Sequence, residues 1–177
     1  ELYEYHAKDG LDVKAVQYDP KVWHEERQHM EQEAYEYYAE YYPHINYPGF
    51  RGFATSVSYL EDRSEQPFYY PIHFIEPIPG NEAAIDLDYY SHISRRQTLE
   101  TALELQSPAV TDRLVLVSIG DQKTRCEAAE DSSYGVVLMH PEYPLSTDTN
   151  NETLEELASL VICIPSLLIK ATEEENI

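Results

Sequence analysis

The chain has 177 residues, of which 42% are hydrophobic and 25% charged, so it carries enough apolar material for the core of one folded domain. Its 12 basic and 33 acidic residues give a formal net charge of -21. A field of that sign repels phosphate backbones and anionic membrane surfaces, which excludes nucleic-acid binding through a basic face as a first expectation.

A long helix is predicted in the N-terminal part of the chain. Asp19 and Pro20 are typical of a helix start, and Pro43 is typical of a helix end. Between them, a heptad-like spacing connects five apolar residues: Trp23, Met30, Ala34, Tyr37 and Tyr41. Two interpretations fit this pattern: an amphipathic helix packed on its own domain, and a stalk helix that pairs with a second copy of the chain.

The rest of the chain predicts short strands. After an extended run that ends at Tyr59, segments rich in β-branched and aromatic residues predict strands over 68–76, 109–119, 134–140 and 157–164. Pro71, inside the first of these segments, indicates an edge strand or a bulge.

One further helix is predicted from Ser91 to Gln106, and Pro108 ends it. Successive strands joined by short loops imply an antiparallel sheet with a helix on one face. The sequence therefore predicts an α+β fold.

Sequence motifs of catalysis and metal binding are missing. His24 and His29 are five residues apart, whereas the helix of a zinc protease needs two histidines four apart, on one face. Asp86 and Asp88 would share one face of a strand, and we interpret them as a solvated or capping pair in preference to a general acid–base pair. We therefore expect no enzymatic activity, no metal and no cofactor in this chain.

Two features bear on the cellular compartment. Cys126 and Cys163 either form one disulfide or remain two buried thiols. Asn151-Glu152-Thr153 is an acceptor sequence for N-glycosylation, which modestly favours an extracellular location. No apolar run is long enough to span a bilayer, and we expect the chain to be a piece of a longer membrane protein whose membrane segments lie elsewhere.

Four segments stand in a characteristic order: PGFRGFA at 48–54, YPIHFIEP at 70–77, GNEAAIDLD at 80–88 and GVVLM at 135–139. As a set they resemble the CHASE domain, the sensory module found outside the membrane in histidine kinases and nucleotide cyclases, including plant cytokinin receptors. The resemblance implies a long, dimerising stalk helix, followed by a PAS-like antiparallel sheet with a helix packed on it. On that basis we expect a stalk helix at 1–45, a sensor domain at 46–170 and a tail at 171–177.

A small-molecule site usually has apolar walls and a few placed polar groups. The predicted walls are Leu99, Leu103, Leu114, Leu116, Val137 and Met139, and the predicted polar groups are Glu76, Thr111 and Tyr143. For each wall residue, plain core packing is the competing interpretation. The resemblance implies an adenine derivative of the cytokinin type as ligand, although Pro77 or Pro79 stands where the cytokinin-binding members have the Asp that bonds adenine.

We therefore predict a non-enzymatic extracellular or periplasmic sensor domain in which a small molecule, bound in a hollow beside the helix, rearranges the stalk helices of a homodimer. Three alternatives stay open: a sensor of a peptide or another protein, a purely dimerising module, and a secreted hydrolase built on a carboxylate pair. A cavity below about 100 Å³ would favour the peptide or protein, because ligand pockets occupy about 300 Å³ or more.

Overall fold

The computed structural model describes residues 13–54, 60–116, 134–142 and 156–164. Their framework is a six-stranded antiparallel sheet, which confirms the α+β class. Its long central strands are β1 (Val13–Pro20), β9 (Tyr134–Glu142) and β10 (Glu156–Cys163), and β10 lies between the other two. The short strand β6 (Phe74–Glu76) borders β1, whereas β7 (Ala109–Val110) and β8 (Leu114–Val115) both pair with β9.

Strand β1 occupies a segment that the family resemblance places in the stalk helix at 1–45. Its odd-numbered residues, from Val13 to Asp19, are buried, and the even-numbered residues between them are partly exposed. This period of two is that of a strand with one face in the core. The expectation of a helix over 1–45 is therefore corrected for β1, and residues 1–12 lie outside the described part of the chain. The buried Gln17 and Asp19 hide the alternation from a search for apolar periodicity.

Helix α1 spans His24–Tyr41, four residues later than Pro20 would suggest. Asp19 cannot cap it, because its side chain is fully buried in the sheet. Instead, a carboxylate oxygen of Glu26 accepts the backbone N–H of Trp23 at 3.0 Å. Ala34 and Tyr38 are the buried residues of α1. The pairing of α1 with a second copy remains a prediction.

Two small ladders hold the loops beside α1. β2 (Val22–Trp23) pairs with β5 (Phe68–Tyr69), and β3 (Arg51–Phe53) pairs with β4 (Leu60–Asp62). The predicted strand over 68–76 is thus divided into β5 and the edge strand β6. Pro71 lies between them, where the chain makes a single bridge to Asp88, because proline has no N–H for a continuous ladder.

Helix α2 spans Ile93–Leu105 and packs on β7 and β9, close to the predicted span. Its buried residues are Arg95, Thr98, Leu99 and Ala102, which follow the i, i+3, i+4, i+7 spacing of one helix face. The helix ends at Gln106, whose left-handed backbone (φ 49°) lets its N–H bond the carbonyl oxygens of the last turn.

Cys163, the last residue of β10, is fully buried and disulfide-bonded. Of the two alternatives from the sequence, the free thiol is therefore wrong for Cys163. The other cysteine of the chain, Cys126, lies outside the described residues.

The packing of α2 on the sheet predicts the stability of two leucine variants. Leu99 is fully buried and Leu105 is 67% exposed, although both belong to the same helix. Leu99→Ala should lower the free energy of unfolding by about 2–5 kcal/mol, because it removes buried methyl groups and leaves a cavity. Leu105→Ala should change it by less than about 0.5 kcal/mol. Urea unfolding followed by circular dichroism measures both, and equal losses would contradict this packing.

Candidate functional site

A cavity of about 30 Å³ lies between the inner face of the sheet and α2. Its apolar walls are Ile72, Ala84, Leu87, Leu116, Val137 and Val161. Its polar groups are Lys14, Gln17, Asn81, Tyr89 and Arg95. They come from β1, from α2 and from the segment between β6 and α2, so the cavity lies where three parts of the fold meet.

The size of the cavity limits what the domain can hold in this arrangement. A cavity needs about 10–15 Å³ to hold one buried water molecule, so this cavity has room for about two. Sites for drug-sized ligands occupy about 300–1,000 Å³. An adenine derivative therefore does not fit this arrangement of α2 and the sheet.

Two of the predicted wall residues, Leu116 and Val137, line the cavity. Three others, Leu99, Leu114 and Met139, are buried in the hydrophobic core. Leu103 is partly buried and packs against that core.

The predicted polar groups lie elsewhere. Thr111 is buried, and its hydroxyl accepts the backbone N–H of Val137 at 2.9 Å, which ties the β7–β8 segment to β9. Glu76 is exposed on the edge strand β6. Tyr143 and the glycosylation candidate Asn151 lie outside the described residues.

A buried polar network, which the sequence did not reveal, borders the cavity. The Tyr89 hydroxyl donates to the side-chain oxygen of Gln17 and lies 3.1 Å from the Ser159 hydroxyl. Ser159 Oγ lies 3.0 Å from Gln17 Oε1 and 2.7 Å from Asp19 Oδ2. All four side chains are at most 4% exposed. The sequence held one signal for this network. Gln17 and Asp19 continue the every-second-residue spacing of the apolar Val13 and Ala15, which predicts that all four lie on one face of a strand.

Asp19 is the acid of this network. Its Oδ1 atom is buried without a hydrogen-bond partner among the described residues. Burial raises the pKa of Asp19 well above its ordinary value, against an opposing effect of the hydrogen bond from Ser159. Burial therefore favours the neutral carboxylic acid at Asp19.

Arg95 supplies a positive charge to the cavity. The side chain is only 4% exposed, and its guanidinium carbon lies 4.7 Å from the centre of the Phe53 ring. No hydrogen bond or ion pair joins this guanidinium to any residue that the structure describes. Burial lowers the pKa of Arg95 to about 10, so the group stays protonated at neutral pH.

Asp86 supports the loop that carries Leu87. The Tyr47 hydroxyl donates to its Oδ2 atom, and the Nδ1 atom of His73 lies 3.2 Å from its Oδ1 atom. The carboxylate is fully buried, so the expectation of a solvated group is wrong here. Neighbouring side chains already use both of its oxygens, and Asp86 does not line the cavity.

Asp88 caps the turn that begins at Tyr89, which confirms the capping interpretation for this residue. One oxygen accepts the backbone N–H groups of Tyr70 and Tyr90, at 2.9 and 3.0 Å. The other accepts Nε of Arg63 at 2.6 Å. This side chain also is fully buried. Asp88 therefore holds the turn before α2 in place.

The polar network predicts how stability depends on pH. An unfolded chain loses the Asp19 proton near pH 4, whereas the folded domain retains it to a higher pH. Above about pH 4 the unfolded state therefore binds fewer protons, and the free energy of unfolding falls as the pH rises toward the folded pKa. In Asp19→Asn this contribution is absent, so unfolding measured from pH 4 to pH 8 should show a smaller fall than in the parent chain. Asp112→Asn, which changes an exposed residue, should follow the parent; identical pH profiles for Asp19→Asn and the parent would contradict the assignment.

Within the described ranges, no three His, Cys, Asp or Glu side chains gather as a metal site requires, and no helix is long and apolar enough to cross a membrane. A search of curated proteins finds no match. The model of the CHASE domain matches residues 6–176, which is essentially the whole chain. The chain therefore belongs to the CHASE domain family, whose members are extracellular sensory domains of histidine kinases and cyclases.

Proposed function

We propose that this chain senses a small molecule for a membrane receptor with a histidine-kinase or nucleotide-cyclase output, and that the ligand enters between the sheet and α2. The observation that carries the proposal is the cavity beside Arg95. A domain that only had to be stable would fill this space with apolar side chains, because a buried charge without a partner costs free energy. A ligand that supplies the partner turns that cost into affinity.

The size of the cavity requires the site to open for all but the smallest ligands. Ala84 and Leu87 lie on one side and Gln17 and Val161 on the other, so a larger ligand must separate the segment before α2 from the sheet. A ligand shifts such an equilibrium only by the difference between its affinities for the open and closed forms. We therefore expect the domain to alternate between two packings of α2 and this segment on the sheet.

The packing of α1 gives a route from the cavity to the stalk. Only three residues separate the end of β1, which carries Gln17, from the start of α1. Farther along α1, the Tyr38 ring stacks on Tyr47 at 5.6 Å, and the Tyr47 hydroxyl donates to Asp86. One side of the cavity is thus joined to α1 by a short connection and the other through Tyr47, and separating the two sides would change the tilt of α1. In a homodimer joined through α1, that change would reach the partner helix.

A second candidate function is supported by the same volume. The cavity has a volume of about 30 Å³. A volume below about 100 Å³ favours a peptide or protein partner over a small molecule. Exposed aromatic side chains on α1 offer a surface for such a partner: Tyr35, Tyr37 and Tyr41. In this case the domain would respond to contacts on α1, and the cavity would stay closed.

Mass spectrometry of small molecules released from the folded, purified chain tests the first function against the second. We expect a stoichiometric ligand from the parent chain and from Ala39→Leu, which changes an exposed position on α1. Ala84→Leu should release at least about tenfold less, because its larger side chain occupies the cavity. Equal release by both variants would place the ligand elsewhere, and no ligand in any of them would favour the peptide or protein partner.

A distance measurement tests the coupling to α1. Spin labels at Gln32→Cys on α1 and His140→Cys on β9 occupy exposed positions on the helix that should tilt and on the sheet. Electron double resonance should show a second distance population that grows as the released ligand is added back. An unchanged distance distribution across a saturating titration would rule out this mechanism.

A further inference from the structure

The charge of the cavity is opposite to that of the chain. The sequence has 12 basic and 33 acidic residues, yet the cavity is lined by Arg95 and, on β1, by Lys14. None of the acidic residues in the described ranges lines it. In a chain with a formal net charge of -21, this is a local site of positive potential.

The neighbours of Arg95 leave its charge uncompensated. The Tyr89 hydroxyl, which also lines the cavity, is already bound to Gln17 and Ser159. Phe53 covers the guanidinium with its ring but offers no acceptor for its N–H groups. Arg95 is also the third residue of α2, near the end of the helix where the backbone dipole is positive. Among the described residues, none places a negatively charged acceptor in the space beside Arg95.

The shape of that acceptor follows from the guanidinium and from the size of the space. A guanidinium is planar and presents paired N–H groups, which match the two oxygens of a carboxylate. The cavity has room for about two waters, which a carboxylate group with a short substituent can replace. Ile72, Leu116 and Val161 give that substituent an aliphatic surface. A phosphate group offers no apolar part to this wall and needs more donors.

We propose that the cavity recognises a carboxylic acid with an aliphatic substituent, through a bidentate contact between the carboxylate and Arg95. This inference rests on the proposed small-molecule function and names the class of its ligand. Acetate fits the closed cavity, and longer acids require the opening described above.

Titrations of the 177-residue chain with sodium acetate and sodium isobutyrate test the proposal, with sodium chloride and sodium phosphate at equal ionic strength as controls. We expect both carboxylates to raise the melting temperature with saturation and to give a Kd by calorimetry. Chloride and phosphate should give neither. A shift of equal size with all four salts would overturn the proposal, because it would report ionic strength alone.

Variants of the two adjacent arginines separate a specific contact from a general charge effect. Arg95→Met should weaken acetate binding roughly thirtyfold or more, because it removes one partner of a buried charged pair. Arg96→Met removes the same charge from the next position, which does not line the cavity, and should leave the Kd within about twofold. Arg95→Lys should keep only part of the affinity, because an ammonium group makes no bidentate contact.

The fold of the variants has its own control. Arg95→Met removes an unpaired buried charge, so we expect its melting temperature without ligand to equal or exceed that of the parent. If Arg95→Met does not fold, Ala84→Leu keeps the charge and fills the cavity, and it should also abolish acetate binding. Full acetate binding by Ala84→Leu would overturn the proposal.

Failure of this inference is distinguishable from failure of the proposed function. A neutral molecule released from the chain, with equal release from Arg95→Met, would overturn the carboxylate and leave the small-molecule function intact. If no molecule is released and no carboxylate binds, both are wrong. A released acid that is lost from Arg95→Met and retained by Arg96→Met would establish the contact.

Discussion

The inner face of the sheet is polar at its centre, and the surrounding structure depends on satisfying it. Gln17 on β1 and Ser159 on β10 are paired in register, and both are buried. Buried polar groups require hydrogen-bond partners, and Ser159 has Gln17 and Asp19 within reach in the sheet itself. Tyr89 supplies a further partner by spanning from the turn before α2 to the sheet. The cavity is the space left beside this polar bridge, where aliphatic side chains from the two layers do not meet.

The coupling that we propose between the cavity and α1 rests on the same arrangement. The sheet side of the cavity includes β1, which leads into α1 after three residues. The opposite side includes Leu87, whose neighbour Asp86 holds Tyr47 against α1. In the proposed mechanism, a helix attached near its start to one wall and farther along to the other tilts when the walls separate. No long chain of intermediate contacts is needed between the cavity and α1.

How much of this was predictable differs from element to element. Helix α2 and strands β9 and β10 follow regular apolar periods, and the sequence predicts them closely. β1 was missed because Gln17 and Asp19 occupy positions where a periodic search expects apolar residues. The site shows the same division: Leu116 and Val137 were predicted, whereas the polar residues were not. Arg95 had a usable signal, because it precedes Leu99 and Ala102 by four and seven residues, and Arg96 does not share that face.

The donors and acceptors of the cavity distinguish this chain from the cytokinin-binding members that it resembles. The resemblance predicts Pro77 or Pro79 where those members have an Asp that accepts hydrogen bonds from adenine. The nearest acid, Glu76, is exposed at the sheet edge. The cavity instead presents Arg95, a group that only donates. A site with a buried charge rejects ligands that leave the charge unpaired more strongly than a hydrophobic site rejects a poorly fitting shape. A neutral apolar molecule of the right size would therefore be excluded by Arg95, and selectivity in this domain would arise from charge before it arises from volume.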